Sequence, residues 1–317
     1  MLTLKNKSIL VTGGAGFIGS HLVEELVKMG SKVKVLDVLS RGKLDYIQPL
    51  IDKNKVEYID GDIRYKDAVD KAMNDVDYVF HEAATNINRS LVYPEESFDV
   101  NFKGSQVVFK SALDHNVKKV IFASSASVYG QPKILPISEN NELDPITPYC
   151  VSKLASEYLL KFYSRFGLKF IVLRYFNVYG VRQHTDAYYT SVIIMFLKRL
   201  LNNESPIILG NGEQSMDFIN VKDVVRANIK CLSSGVNNEV FNVGTGKSTT
   251  IKELANMLVE IMDSNVKPIF EPREVLVTER RADIKKAKQL LRFEAKIKIE
   301  SGLKEIAEDF IINYKNY

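Results

Sequence analysis

The chain has 317 residues, 45% hydrophobic and 26% charged, with a net charge of +4. That length fits about two domains or one large α/β unit with a substantial core. The positive charge is dispersed apart from Arg280-Arg281 with Lys285, Lys286 and Lys288, which reads as a solvated helix start, so nucleic acid is excluded as a partner. Two cysteines, Cys150 and Cys231, make no disulfide framework and fit a reducing cytoplasm, and two Cys with four His form no metal-ligand cluster. No run of 18 apolar residues exists and the N-terminus passes directly into a strand pattern, which argues against a membrane span or a cleaved signal.

Ser8–Thr12 is a short β-branched run and predicts a buried strand. Gly13, Gly16 and Gly19 follow, and from Ser20 an apolar face of Leu22, Val23, Leu26 and Val27 predicts a helix that Gly30 stops. A strand feeding a helix through glycines gathers unpaired N–H groups and the positive dipole end at one spot, where a dinucleotide pyrophosphate can approach the backbone. A second strand, Lys32–Leu36, ends at Asp37, 18 residues past Gly19, where a ribose-binding carboxylate belongs. Asp37 favours NAD over NADP, although Arg41 and Lys43 nearby leave a 2′-phosphate open.

Leu39–Asn54 predicts a loop and short helix, Val56–Ile59 a strand, Asp67–Met73 a helix, and Asp77–Phe80 a strand ending in His81-Glu82-Ala83-Ala84. Pro94–His115 carries a long helical pattern at mixed spacings, and Val120–Ala123 is a fifth strand. The alternation implies a doubly wound parallel sheet with helices on both faces, a Rossmann-type α/β fold with ligands beyond the carboxyl ends of the strands. The fifth strand ends at Ser124-Ser125-Ala126-Ser127. After a polar loop, Pro148 opens a helix with Tyr149 and Lys153 one turn apart on the same face. A free tyrosine titrates near pH ~10, but a neighbouring ammonium and an oxidised nicotinamide favour the phenolate, so Tyr149 can act as a base near neutrality. Ser125 is placed to hydrogen-bond the same substrate oxygen.

In the second half, Phe170–Leu173 predicts a strand, Tyr188–Leu201 a helix, Gly210-Asn211-Gly212 a turn, Val221–Leu232 a helix and Glu239–Val243 a strand. Ile251–Met262 and Ala282–Leu291 predict helices. Gly244-Thr245-Gly246-Lys247-Ser248 lacks the spacing of a phosphate loop and reads as a strand-to-helix turn. Residues 1–174 are expected to form the dinucleotide-binding domain, joined by a returning strand near 239–243, and residues 175–317 mainly a smaller substrate lobe.

Thr12–Gly19, Asp37, Gly61–Ile63, His81–Ala84, Asn101, Ser124–Gly130, Tyr149–Lys153 and Arg174–Gly180 together resemble the extended short-chain dehydrogenase/reductase family, and within it the nucleotide-sugar epimerases. Gly210–Phe218 and Ala282-Asp283 continue the resemblance over nearly the whole chain. It implies a bound NAD held by Gly13, Gly16, Phe17, Ile18, Gly19, Asp37, Asp62, Ile63, Ala83, Ala84, Asn101, Tyr149 and Lys153. It implies catalysis by Ser125, Tyr149 and Lys153, and contact of Asn177 and Arg273 with the UDP-sugar substrate. It also implies a homodimer through helices around Pro94–His115 and Tyr149–Phe166, with Phe98, Phe102, Phe109, Leu159 and Phe162 supplying apolar surface.

The 4,6-dehydratases of that family carry an acid pair directly after the catalytic Ser or Thr, and the uronate decarboxylases a Glu at the second position. Here Ala126-Ser127 stands there, which leaves chemistry that needs only a base and a hydride acceptor. Epimerisation at C4 of a UDP-hexose, glucose/galactose or the N-acetylhexosamine pair, fits. Epimerisation of an acidic UDP-sugar such as a uronate, 4-keto-sugar reduction and an NAD-binding regulatory role are the alternatives. Two positions depart from the family. Met216 replaces a phosphate-binding Arg, and Arg280 stands where the sugar-pocket gatekeeper is otherwise large and uncharged or small. Arg280 either swings to solvent or pairs with an acidic substituent of the sugar.

Overall fold

A computed structural model describes residues 4–183, 191–272 and 278–313. Seven strands form its main sheet: β1 (Ser8–Thr12), β2 (Lys32–Asp37), β3 (Val56–Asp60), β4 (Tyr78–His81), β5 (Lys119–Ser125), β6 (Phe170–Tyr175) and β7 (Glu239–Val243). All pair in parallel, in the order β7-β6-β5-β4-β1-β2-β3. Helices cover both faces, so the central strands are buried on both sides and read as near-continuous apolar runs. Val11 lies beside Val35 of β2 on one side and Phe80 of β4 on the other. The chain winds outward from β1 to β3, then crosses back to begin again at β4. The crevice where the winding reverses opens at the carboxyl ends of β1 and β4.

Eight helices carry the packing: α1 (Phe17–Lys28), α2 (Lys66–Met73), α3 (Ser105–Asp114), α4 (Pro148–Ser164), α5 (Val192–Leu201), α6 (Val221–Ser233), α7 (Ile251–Ile261) and α8 (Ile299–Asn313). Leu22, Val23 and Leu26 of α1 and Val224 and Ala227 of α6 bury one face of the sheet. Val69, Phe109 and Leu160 bury the other. Ile194, Phe196, Leu254, Leu258, Ile306 and Phe310 make a separate core, in which α5, α7 and α8 pack together as the smaller lobe. Thus α6 and β7 return to the large sheet from the second half of the chain. No helix among the described residues is long and apolar enough to cross a membrane.

Four elements differ from expectation. The Pro94–His115 segment is continuous through Asp114, but Phe98–Gly104 is a π-helix; its wider turn rotates the apolar face, which is why the sequence spacing is mixed. The helix expected from Tyr188 begins at Val192, where the Ser191 hydroxyl accepts from the Ile194 N–H; Tyr188 lies outside the described residues. The helix expected from Ala282 begins at Lys285, because the Ala282 N–H donates to Asp217 and the Asp283 carboxylate accepts from the Lys285 N–H instead. Helix α8 was not anticipated; Leu303, Ile306, Ala307 and Phe310 form its buried face. Of the residues expected at a dimer surface, Phe109 is core, Phe102 and Leu159 are half-buried, and Phe98 and Phe162 are exposed.

Candidate active site

A cavity of about 380 Å³ opens in the crevice, lined by Gly13, Gly16, Phe17, Ile18, Gly19, Asp37, Asp62, Ile63 and Ala84. Gly13 has φ +70°, and a Cβ there would lie 2.7 Å from the Ala83 nitrogen. A Cβ on Gly19 would overlap the Gly13 carbonyl oxygen. These glycines let strand, loop and helix close up while leaving the loop backbone open. Gly16 caps α1 without a side-chain bond, and the first turn holds no acidic residue. The positive end of a 12-residue helix therefore meets the cavity with no acidic side chain in its first turn, and this cradle fits a dinucleotide pyrophosphate.

At the end of β2 the Asp37 carboxylate accepts from the Ala15 N–H at 3.0 Å and the Leu39 N–H at 2.9 Å, which aims it at the cavity edge. Burial raises its pKa against the pull of those backbone donors. Arg41 also lines this cavity, whereas the Lys43 ammonium lies over the Tyr46 ring. Asn101 lies behind the cavity wall. Its Oδ1 accepts from the Thr85 N–H at 2.8 Å, and its Nδ2 donates to Ser97 and Ser152, so it fixes the lining residue Thr85 and ties it to α4. The floor is locked by His81. Ser105 donates to the Asn101 carbonyl and therefore accepts from His81 Nε2–H at 2.9 Å, which leaves Nδ1 to accept from Thr12 Oγ1 at 2.6 Å. Burial holds His81 neutral, with its pKa down to about 3.

A second cavity of about 230 Å³ abuts the first and shares Phe17, Ile18, Asn86 and Gln183 with it. Ser125, Tyr149, Asn177 and Arg280 line it. Thr147 caps α4 through the Cys150 N–H at 3.2 Å, and the Tyr149 N–H donates to Ser90 Oγ at 3.2 Å. One turn on, the buried Lys153 donates to the Ala123 carbonyl at 2.8 Å, with its ammonium 5.9 Å from the Tyr149 ring centre. Burial lowers Lys153 to about 8, opposed by the carboxylates of Glu82 and Glu157. Ser125 Oγ accepts from the Ser127 N–H at 3.2 Å and from Ser127 Oγ at 2.8 Å, so its own proton is available to a ligand oxygen. A buried fork holds α4 to the sheet: Arg174 donates to both Glu157 oxygens at 3.0 and 2.6 Å and to Tyr129 at 2.8 Å.

The far wall depends on Asp217, which the sequence reading did not single out. Its carboxylate accepts from the Thr245 N–H at 2.8 Å, Thr245 Oγ1 at 2.6 Å, the Gly246 N–H at 2.9 Å and the Ala282 N–H at 3.1 Å. That bond carries Arg280 into the cavity. One Arg280 amine donates to the Gly130 carbonyl at 3.3 Å, while its Nε is buried with no hydrogen-bond partner. Burial lowers its pKa, and no carboxylate among the described residues acts on it. Arg273 lies outside the described residues.

The NAD dependent epimerase/dehydratase family profile matches residues 9–244. The chain belongs to that family. A putative UDP-glucose 4-epimerase of Methanocaldococcus jannaschii is 39% identical over 303 residues, covering 94% of this chain and 96% of the relative. A UDP-N-acetylglucosamine 4-epimerase of Methanobrevibacter ruminantium, solved with UDP-N-acetylmuramic acid, superposes with TM-score 0.92 at 37% identity, covering 98% of this chain and 99% of that one. The UDP-glucose 4-epimerase of Thermotoga maritima, solved with UDP-glucose, gives TM-score 0.91 at 37% identity, covering 97% and 99%. As in the rest of the family, the cofactor is NAD. Glu82, Asn86, Ser127, Tyr175 and Gln183 are among the lining residues to which the sequence reading gave no site role. Ser127 was within reach, two residues after Ser125. Glu82 and Tyr175 stand inside quoted motifs, whereas Asn86 and Gln183 carry no local signal.

Proposed function

We propose that this chain interconverts the 4-epimers of a UDP-activated hexose through a transient 4-keto sugar. One observation carries the reading: Ser125 and Tyr149 line one cavity that abuts the glycine-loop cavity, with the Lys153 ammonium behind the tyrosine ring. Tyr149 takes the proton of the sugar 4-hydroxyl as base and returns it after the sugar has turned. Lys153 stabilises the phenolate, and Ser125 donates to the reacting oxygen. The glycine loop and Asp37 would hold NAD, which would supply the acceptor and donor of the C4 hydride. Ala126 and Ser127, which line the same cavity, provide no acid for expelling water. Residues from the second half, Asn177 and Arg280 among them, take the nucleotide sugar. The test is a proton NMR time course with UDP-glucose, UDP-N-acetylglucosamine and UDP-glucuronate and no added cofactor. A new axial 4-hydroxyl anomer is expected, lost in Tyr149→Phe; no conversion of any of the three would overturn the reading.

Arg280 favours a second, finer reading, in which the sugar carries an acidic group. Arg280 is half-buried, but its Nε is buried with no hydrogen-bond partner and no carboxylate among the described residues acts on it, a position that an anionic group of the sugar would complete. The relative solved with UDP-N-acetylmuramic acid supports the same chemistry. Arg280→Ala is expected to raise KM for an acidic sugar about a hundredfold and to leave neutral sugars within a few-fold; equal effects on both would remove the idea. We also propose a homodimer through α4, where Tyr158 and Phe162 are exposed and the exposed Phe166, just past the helix end, packs on Phe162 with ring centres 5.2 Å apart. Phe162→Glu should convert a dimer to monomer by light scattering.

A further inference from the structure

A segment from the second half of the chain is fastened to the cofactor helix. The short strand Asn177–Tyr179 runs on into Val181-Arg182-Gln183, which lies along the first two turns of α1. The Val181 carbonyl accepts from His21 Nε2–H at 3.0 Å. Arg182 donates to Ser20 Oγ at 3.2 Å and to the Glu24 carboxylate at 2.5 Å. Its guanidinium also lies 5.1 Å from the centre of the Tyr46 ring. Tyr46 follows the loop that leaves Asp37, and Val38, Ser40, Arg41 and Gly42 of that loop line the cofactor cavity. One side chain therefore joins the substrate-side segment, α1 and the turn after the Asp37 loop.

Arg182 has φ +68°, a left-handed conformation that a non-glycine residue keeps only where its surroundings impose it. Gln183, next along, is 3% exposed and lines both cavities. Its Nε2 donates to the Val178 carbonyl at 3.2 Å, which fixes the amide and leaves Oε1 buried without a partner. A wall that a ligand completes leaves such an atom. We propose that Arg182 is the clasp of the cofactor cavity, a positioning residue that fastens this segment over the junction of the two cavities and so retains NAD from one turnover to the next. An epimerase needs that retention, because the hydride taken from C4 must return to the same sugar; loss of the reduced cofactor would strand a 4-keto sugar. Ser20, His21, Glu24, Tyr46 and Arg182 line neither cavity, so the clasp can be loosened without touching the reacting groups.

The proposal rests on the epimerase reading, and the experiment separates the two. Protein loaded with NADH is chased with excess NAD, and the loss of bound-NADH fluorescence gives the release rate. Glu24→Ala, which removes the carboxylate from the clasp, should raise that rate about tenfold; Arg182→Ala, which also removes the Ser20 and Tyr46 contacts, should raise it about thirtyfold. Arg182→Lys keeps the charge but not the second donor or the flat face over Tyr46, and should fall between the parent and Arg182→Ala. With NAD in excess, kcat should stay within about threefold of the parent in all three. Unchanged release in Arg182→Ala would overturn the proposal. So would a loss of kcat in saturating NAD as large as the gain in release, which would mark a residue that shapes the catalytic cavity instead. A parent that turned over none of the sugars would end the epimerase reading, while the NADH release rates still tested the clasp.

Discussion

Replacing Asp217 by Asn tests how the sugar wall is held. The carboxylate takes four donors, two on each oxygen: Thr245 N–H and Oγ1 on one, the Gly246 and Ala282 N–H groups on the other. An amide keeps one oxygen and turns its NH₂ toward the other pair, so two bonds to a charged acceptor are lost and two buried donors are left opposed. Each such bond is worth about 1.5–3 kcal/mol. Part of the loss is offset, since burial already penalises the Asp217 carboxylate and raises its pKa. The expected net cost is about 3 kcal/mol, read by urea unfolding near neutral pH. Thr245→Val, which removes one hydroxyl donor, should cost about 1 kcal/mol. Because the Ala282 tether also places Arg280, Asp217→Asn should raise KM for the sugar nucleotide more than it lowers kcat. A stability change under about 0.5 kcal/mol with an unaltered KM would refute the account of this wall.

Gly19→Ala should cut NAD affinity about a hundredfold or more by calorimetry, because its methyl overlaps the Gly13 carbonyl and pushes the loop off α1. Glu157→Gln breaks the buried fork with Arg174 and should cost about 3–5 kcal/mol in denaturant unfolding. Glu82 sits at about 7 when folded against an ordinary 4.5, so the folded chain holds this proton more tightly. Its contribution is therefore complete below about pH 4.5 and is lost as pH rises to about 7. The cofactor-free Glu82→Gln variant should gain up to about 3 kcal/mol on the parent across that window, and parallel stability profiles would contradict the burial of this acid.

Much of the site was legible because its parts are close in sequence. The strand, the three glycines and α1 are contiguous, Asp37 follows one crossover later, and Tyr149 and Lys153 share a helix face. Local periodicity reports such features directly. Element ends were less legible where tertiary bonds compete with helix hydrogen bonds, as at Ala282, whose N–H goes to Asp217 65 residues away. The π-turn at Phe98–Gly104 left a trace only as irregular spacing.

The sequence by itself determined the doubly wound class, the glycine cradle between strand and helix and the tyrosine–lysine pair on one helix face, since each depends on neighbours along one strand, turn or helix. Tertiary structure decided what surrounds them. Glu82 meets Tyr175 across 93 positions, and Arg280 meets Gly130 across 150. Strand order alone sets which loops converge at the carboxyl edge of the sheet, and no local pattern encodes that order. The burial of Lys153, the tether at Asp217 and the placement of Arg280 in the cavity wall are consequences of that convergence.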